Sequence, residues 1–197
     1  MSQAIFHIYV LSNGRSGLYR SLLSLWKLES YPSLVTILCQ VNQSEIIEKS
    51  IFTVSEDTGL QGPETRILES RDSWRLQLVR DAGVLEHQKI GFLVERDMFL
   101  PKYAELISGK ITLGAHNALS HFQRQKFGNS KLLHPVAGAK VGLSALVISK
   151  TLALNLPNEI KILDEVATII PEESNQEYRS SEPMVLVQSN IKSAYEV

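Results

Sequence analysis

Residues 82–103 read AGVLEHQKIGFLVERDMFLPKY, and the class of fold turns on how this stretch is parsed. Lys89 closes a polar run, and Ile90, Gly91, Phe92, Leu93 and Val94 then follow without interruption. Five apolar residues are too few for a typical helix and suit a strand buried on both faces. Glu95, Arg96 and Asp97 stand at the carboxyl end of that strand, and Pro101 sits just inside the next predicted helix, PKYAELISG. In an open α/β sheet, ligands bind beyond the carboxyl ends of the strands. Two carboxylates there have the chemistry to hold a hard divalent cation that carries substrate phosphates. The same three residues also fit a solvated loop where a strand leaves the core.

Working outward toward the N-terminus, Ile5–Leu11 (IFHIYVL) is rich in β-branched and aromatic residues and predicts a strand. Ser12-Asn13-Gly14-Arg15-Ser16-Gly17 follows as a turn. It matches neither the G-x-G-x-x-G fingerprint nor a P-loop, but a glycine-containing loop between strand and helix can aim backbone amides at an anion. A plain strand-to-helix turn reads equally well. Leu18, Leu22, Leu25 and Trp26 fall at helical spacing and predict one sheet-facing stripe over Leu18–Leu28. Pro32 ends that segment, and Leu34–Val41 (LVTILCQV) is apolar enough for a second parallel strand. Glu45–Val54 is a short polar-to-apolar segment, Glu56–Pro63 a loop, and Thr65–Leu68 a third or edge strand. Ser73–Val84 predicts a helix with Trp74, Leu78 and Ala82 on one face. Strand, helix, strand with short connections indicates an α/β domain.

Beyond the central stretch the expectations are a helix over Pro101–Ile107, a strand at Lys110–Leu113 and a helix over Ala115–Phe127. His116, His121 and His134 lie here, but the i, i+5 spacing of the first two does not make a zinc pair on one helix face, so surface or capping roles fit better. Gly128–Gly142 has the glycine density of a long loop, Leu143–Leu154 the length of a helix, and Ile160–Ile170 predicts a helix carrying Asp164 and Glu165. The division expected is one α/β domain over residues 1–175 and a polar tail or docking arm over 176–197, which carries one apolar island, Met184–Val187, has no stable core of its own, and would dock on a neighbour or on another subunit of a homo-oligomer.

Composition narrows the function classes. With 44% hydrophobic and 21% charged residues in 197, the chain is an ordinary globular protein. Its 20 basic and 21 acidic residues leave a net charge of -1, which argues against a nucleic-acid partner. The single cysteine, Cys39, rules out an intrachain disulfide and reads as a buried thiol in VTILCQV. No basic leader precedes the first apolar run, and no run reaches the length of a membrane span, so a cytoplasmic location is expected.

An ordered series of segments resembles the family-two nucleotide-sugar glycosyltransferases with the A-type fold. The segments are Ser12–Arg15 after the first strand, Leu18–Leu25, Tyr31-Pro32 before Leu34–Val41, Arg80-Asp81-Ala82-Gly83, and Phe92–Asp97 with Pro101. The resemblance lies mainly in residues 5–105. It implies a single Rossmann-like domain with a mostly parallel sheet and helices on both faces, binding a nucleoside-diphosphate sugar. By the same resemblance Ser12, Asn13 and Arg15 would face the nucleotide, Asn42 the base or ribose, and Arg80 with Asp81 the diphosphate or base pocket. Glu95 and Asp97 would hold a divalent metal, manganese or magnesium, and Asp164 or Glu165 would be the base that deprotonates an acceptor hydroxyl.

Two departures alter that picture. Where the family carries an aspartate after the second strand, this chain has Asn42, which hydrogen-bonds but brings no charge. In the acidic motif either Glu95 replaces the leading aspartate, or that position falls on Val94 and Arg96 takes another acidic place; an Arg96 pointing into the site could itself neutralise a diphosphate with its fixed cation and leave no need for a metal. The rival readings are a catalytically inactive relative serving binding or assembly, and an unrelated α/β nucleotide-binding protein.

Overall fold

The computed structural model describes residues 4–110, 117–119, 121–124, 130–133, 143–155 and 183–187. Four parallel strands form the centre: β1 (Ala4–Leu11), β2 (Pro32–Gln40), β3 (Thr65–Ser70) and β4 (Lys89–Val94). They are joined by α1 (Leu18–Trp26), α2 (Ser44–Thr58) and α3 (Trp74–Val84). The order across the sheet begins β3-β2-β1-β4, so the chain builds outward from β1 in one direction and then returns to its other side. Right-handed crossovers place helices of the two directions on opposite faces.

Side-chain alternation follows. Phe6, Ile8 and Val10 of β1, Val35 and Ile37 of β2 and Leu93 of β4 join the core under α1 and α2. Tyr9 and Leu11, Leu38, and Phe92 with Val94 point to the other face, under Leu78 and Ala82 of α3. The stripe expected on α1 is buried as Leu18, Leu22, Leu25 and Trp26, and Cys39 is a buried free thiol. The Glu45–Val54 segment belongs to α2, which buries Ile47 and Val54 and stops at Gly59 in the left-handed conformation, φ 64°.

Several expectations for the second half are corrected. No helix spans 117–124: Asn117–Ala118 is β6 and His121–Arg124 is β7, once β5 (Met98–Phe99) and α4 (Tyr103–Lys110) have passed. Lys110, expected to open a strand, ends α4. Ser130–Leu133, inside the expected long loop, is β8, paired antiparallel with β7. Leu143–Leu154 divides into a 3-10 turn (Leu143–Ala145), β9 (Leu146–Ser149) and α5 (Lys150–Leu154). The break has a local cause, since the Ser149 side chain accepts from Leu152 N–H and caps a new helix. β9 pairs antiparallel with β4 and β6, completing a six-stranded sheet that is mostly parallel.

The apolar island of the tail packs against its own chain. Val185–Val187 forms β10, between β5 and β7 in a second, four-stranded sheet, and Val185 and Val187 are buried in the main core. β10 pairs with β5 and β7, and the core takes the Val185 and Val187 side chains. Among the described residues no helix is long and apolar enough to cross a membrane.

Gly62 fixes how the α2–β3 connection packs. Its φ is 72°, and a Cβ built on it would lie 2.2 Å from Trp26 Cε2. Trp26 is 1% exposed and has nowhere to go. Gly62→Ala therefore combines left-handed backbone strain with overpacking, and is expected to cost about 2–4 kcal/mol in urea unfolding followed by tryptophan fluorescence. A loss below about 1 kcal/mol would mean that the loop can swing away from the ring.

Candidate functional site

The order β3-β2-β1-β4 reverses at the β1/β4 pair, and there the two strands end in step, Leu11 opposite Val94. Glu95 N–H donates to Leu11 O at 3.0 Å, so the segments after both strands leave the sheet side by side. A reversal of this kind opens a crevice at the carboxyl edge, the usual ligand position in such sheets.

The Ser12–Gly14 loop wraps the Glu95 carboxylate. Glu95 Oε2 accepts from Asn13 N–H at 2.8 Å and from the Ser12 hydroxyl at 3.2 Å, and Gly14 N–H donates to Ser12 Oγ at 3.0 Å. Glu95 Oε1 is buried with no hydrogen-bond partner. A buried carboxylate oxygen without a donor is costly unless something else reaches it.

Val94–Asp97 is a tight turn closed by Asp97 N–H to Val94 O at 2.9 Å. Arg96 is its third residue, with φ 87°, the place in a type II turn that glycine usually takes. Holding a bulky residue there costs about 1–2 kcal/mol, and buried serines hold it. Ser21 Oγ accepts from Arg96 N–H at 2.9 Å and donates to Asp97 O at 2.8 Å. Ser24 Oγ accepts from Phe99 N–H at 3.1 Å. Asp97, 1% exposed, receives the Ser144 hydroxyl on Oδ2 at 2.6 Å. The exposed Arg96 runs over Gly17, where a Cβ would come within 2.3 Å of Arg96 Cγ. Strain of this kind gathers at functional sites.

The remaining expected residues divide. Arg15 is exposed on the same loop, and its carbonyl accepts from Leu18 N–H at 3.0 Å as α1 begins. Asn42 is exposed beyond the end of β2, with φ 70° and its N–H on Glu69 Oε1. Glu69, at the end of β3, is held below the usual carboxylate range by the Ser44 hydroxyl and then by the Asn42 amide. A carboxylate from β3 thus stands beside the position where Asn42 brings no charge. Arg80 is exposed and ion-paired with Asp72. Asp81 is buried, and its Oδ2 accepts from Tyr9 OH at 2.7 Å and from Arg66 Nη2. Those hydrogen bonds tie Asp81 to the interior under α3, not to the Glu95–Asp97 turn. Asp164 and Glu165 lie outside the described residues, as do His116 and His134; His121 is in β7.

Sequence reasoning missed Ser21, Ser24 and Ser144. The first two carried a faint signal, since they interrupt the apolar stripe of α1 at positions that face the core. Ser144 carried none, because its role depends on a turn far away in the chain.

Behind the site, His7 shares a 2.7 Å hydrogen bond with Thr36 Oγ1, which accepts from Arg66 Nε at 2.9 Å. His7 stacks on Tyr9 at 4.2 Å and meets His87 edge-on at 5.5 Å. Burial, then the His87 and Arg66 charges, lower the His7 pKa from 6.5 to about 3. The unfolded chain therefore binds a proton that the folded chain refuses, and stability present above pH 6.5 is lost as pH falls toward 3. By pH 5 this group is expected to have removed about 2 kcal/mol. Urea unfolding of wild type and His7→Gln from pH 7.5 to 4.5 measures it: the wild type should fall more steeply, and parallel curves would rule the effect out.

The pair Glu95 and Asp97 fits a divalent cation in a limited sense. Among the described residues no group of three or more His, Cys, Asp or Glu side chains could hold a metal alone. The buried, donor-free Glu95 oxygen fits a partial site, in which one or two carboxylates hold the ion and phosphates and water supply the rest.

Comparison with known proteins follows from this geometry. No protein-family model and no curated protein sequence matches the chain. Solved structures do. The crystal structure of S. aureus TarS 1-349 superposes with a TM-score of 0.63 at 13% identity, covering 93% of this chain and 60% of that one. TarS 1-349 in complex with UDP-GlcNAc gives 0.63, also at 13% identity, over 96% of this chain and 61% of that one. Mannosyltransferase PcManGT from Pyrobaculum calidifontis, in complex with GDP-Man and Mn2+, gives 0.62 at 7% identity, over 94% and 57%. The fold is that of the A-type glycosyltransferases. At such identities the likeness is one of fold, and the chain spans about three-fifths of the length of these A-type structures.

Proposed function

We infer that this chain binds a nucleoside-diphosphate sugar at the carboxyl edge of β1 and β4 and acts as a glycosyltransferase, passing the sugar to an acceptor hydroxyl. The observation that carries the reading is the Glu95–Asp97 turn: two buried carboxylates at the sheet reversal, one of them wrapped by the Ser12–Gly14 loop and left with an unpartnered oxygen. Structures of the same fold in complex with UDP-GlcNAc, and with GDP-Man and Mn2+, support it.

In this reading the Ser12–Arg15 loop lies against the nucleotide, Asn42 with Glu69 beside it faces the base or ribose, and Arg80 leaves Asp72 for the ligand. Arg96, exposed over the start of α1, sets a permanent cation beside the diphosphate. Glu95 and Asp97 hold a divalent cation, manganese or magnesium. When bound, that cation neutralises charge gathering on the phosphate oxygens as the leaving group departs. Groups fixed in advance by Ser21, Ser24 and Ser144 need no rearrangement as the charge develops, and so favour the transition state over the ground state. Asp164 or Glu165 is the proposed base for the acceptor hydroxyl.

The test is thermal unfolding with UDP, GDP, ADP and CDP, each with and without Mn2+. A ligand at about a hundred times its Kd stabilises by about 2.7 kcal/mol, so one diphosphate should raise Tm, and more so with Mn2+. One observation favours a second reading, a binding or assembly module without catalysis: Asp97 is 1% exposed and already engaged by Ser144. A flat panel would favour that module.

A further inference from the structure

The geometry points to Ser144 as a positioning residue that sets the orientation of the Asp97 carboxylate for cation binding. This rests on the sugar-nucleotide reading above and adds a residue to it. Ser144 is 0% exposed on the Leu143–Ala145 turn, between Leu143 and Ala145, which are equally buried. Its Oγ accepts from Val94 N–H at 2.9 Å, so its own proton is directed to Asp97 Oδ2 at 2.6 Å. One hydroxyl thus bridges the last residue of β4 and the carboxylate three residues on. Asp97 is held at its main chain as well, where its carbonyl accepts the Ser21 hydroxyl at 2.8 Å. Backbone from α1 and head group from the 3-10 turn together restrict the rotation of this side chain.

A neutral hydroxyl donor orients an ionised carboxylate without cancelling its charge, which is what a metal ligand requires of the group behind it. It takes one of the carboxylate's lone-pair directions. The turn that supplies it runs into β9, which pairs with β4, so the donor is fixed to the same sheet as the carboxylate it serves.

The experiment is titration of the full chain with Mn2+, followed by the electron paramagnetic resonance signal of the free ion, alone and with UDP or GDP. Wild type should take up Mn2+ more tightly with one of the two nucleotides. Ser144→Ala, checked as folded by circular dichroism, should raise the Mn2+ Kd by about 10- to 100-fold. Ser144→Cys keeps the packing but weakens the donor, and should raise it several-fold. A folded Ser144→Ala protein with the wild-type Kd overturns the inference and leaves the sugar-nucleotide reading in place. If the alanine variant does not fold, an unchanged Kd in the cysteine variant overturns it equally. Wild type that takes up no Mn2+ with either nucleotide overturns both.

Discussion

Asp97→Asn is expected to leave a folded protein that has lost the Mn2+-dependent part of its nucleotide stabilisation and at least about 100-fold in sugar transfer. Asparagine has nearly the shape of aspartate and keeps an oxygen that can accept the Ser144 hydroxyl. The buried contact therefore survives, and unfolding free energy should change by only about 1 kcal/mol. What the amide cannot do is bring a negative charge to a cation or steady the charge forming on a departing diphosphate. Removing one preorganised electrostatic group costs about 100- to 1,000-fold in rate. The measurements are donor-dependent transfer or hydrolysis, and the Mn2+ increment in Tm. A variant as active as wild type, with the increment intact, would show that Asp97 serves the fold alone. The split between stability and activity is the informative result, since a merely structural carboxylate would lose the first without the second.

Asp81→Ala should cost about 3 kcal/mol of stability. Asp81 is buried, and its Oδ2 gathers the Tyr9 hydroxyl and the Arg66 guanidinium. Removing one partner of a buried pair costs about 3–5 kcal/mol, because the other charge is left without compensation. Arg66 keeps 34% of its side chain exposed and can partly rehydrate, which sets the expectation at the lower end. For a chain of this size the loss corresponds to about 6–12 °C in Tm. Asp81→Asn retains an acceptor for Tyr9 and should lose roughly half as much. Urea unfolding of the three proteins decides it, and a loss below about 1 kcal/mol in Asp81→Ala would show that water replaces the carboxylate. This variant also tests the expected binding role: Asp81 acts on ligands through the network if nucleotide affinity falls only in step with stability.

The first half of the chain was legible because its information is local. Leu18, Leu22, Leu25 and Trp26 mark their helix by spacing alone, and Ile90–Val94 is a strand by its length and its bounds. Glu95 and Asp97 could be placed at the carboxyl edge because strand direction fixes which end of a segment meets the crevice. Among the described residues from 110 onward the signals were misleading. Asn117–Ala118 pairs with β9, and His121–Arg124 lies between the nearby β8 and the distant β10, so neither strand follows from its own residues alone. Val185–Val187 looked too isolated for a core element, yet it fills a gap between two strands and so escapes any local window. Asp81 was legible as a polar residue on a helix, but not its partners, which come from β1 and β3.

That central position of β10 bears on the order in which the molecule assembles. β1, β2 and β3 are joined by single-helix crossovers, so their pairings form between segments closer along the chain than Leu11 of β1 and Val94 of β4. The pairing of Met98–Phe99 with Val185–Leu186 must wait for two remote pieces to meet, and such long closures are slow. In refolding followed by pulsed hydrogen exchange, amides of β2 and β3 should gain protection before those of β5 and β10. During the lag, a chain that has already paired β1, β2 and β3 still presents β5 as an uncovered strand edge, and this is where aggregation during synthesis would begin.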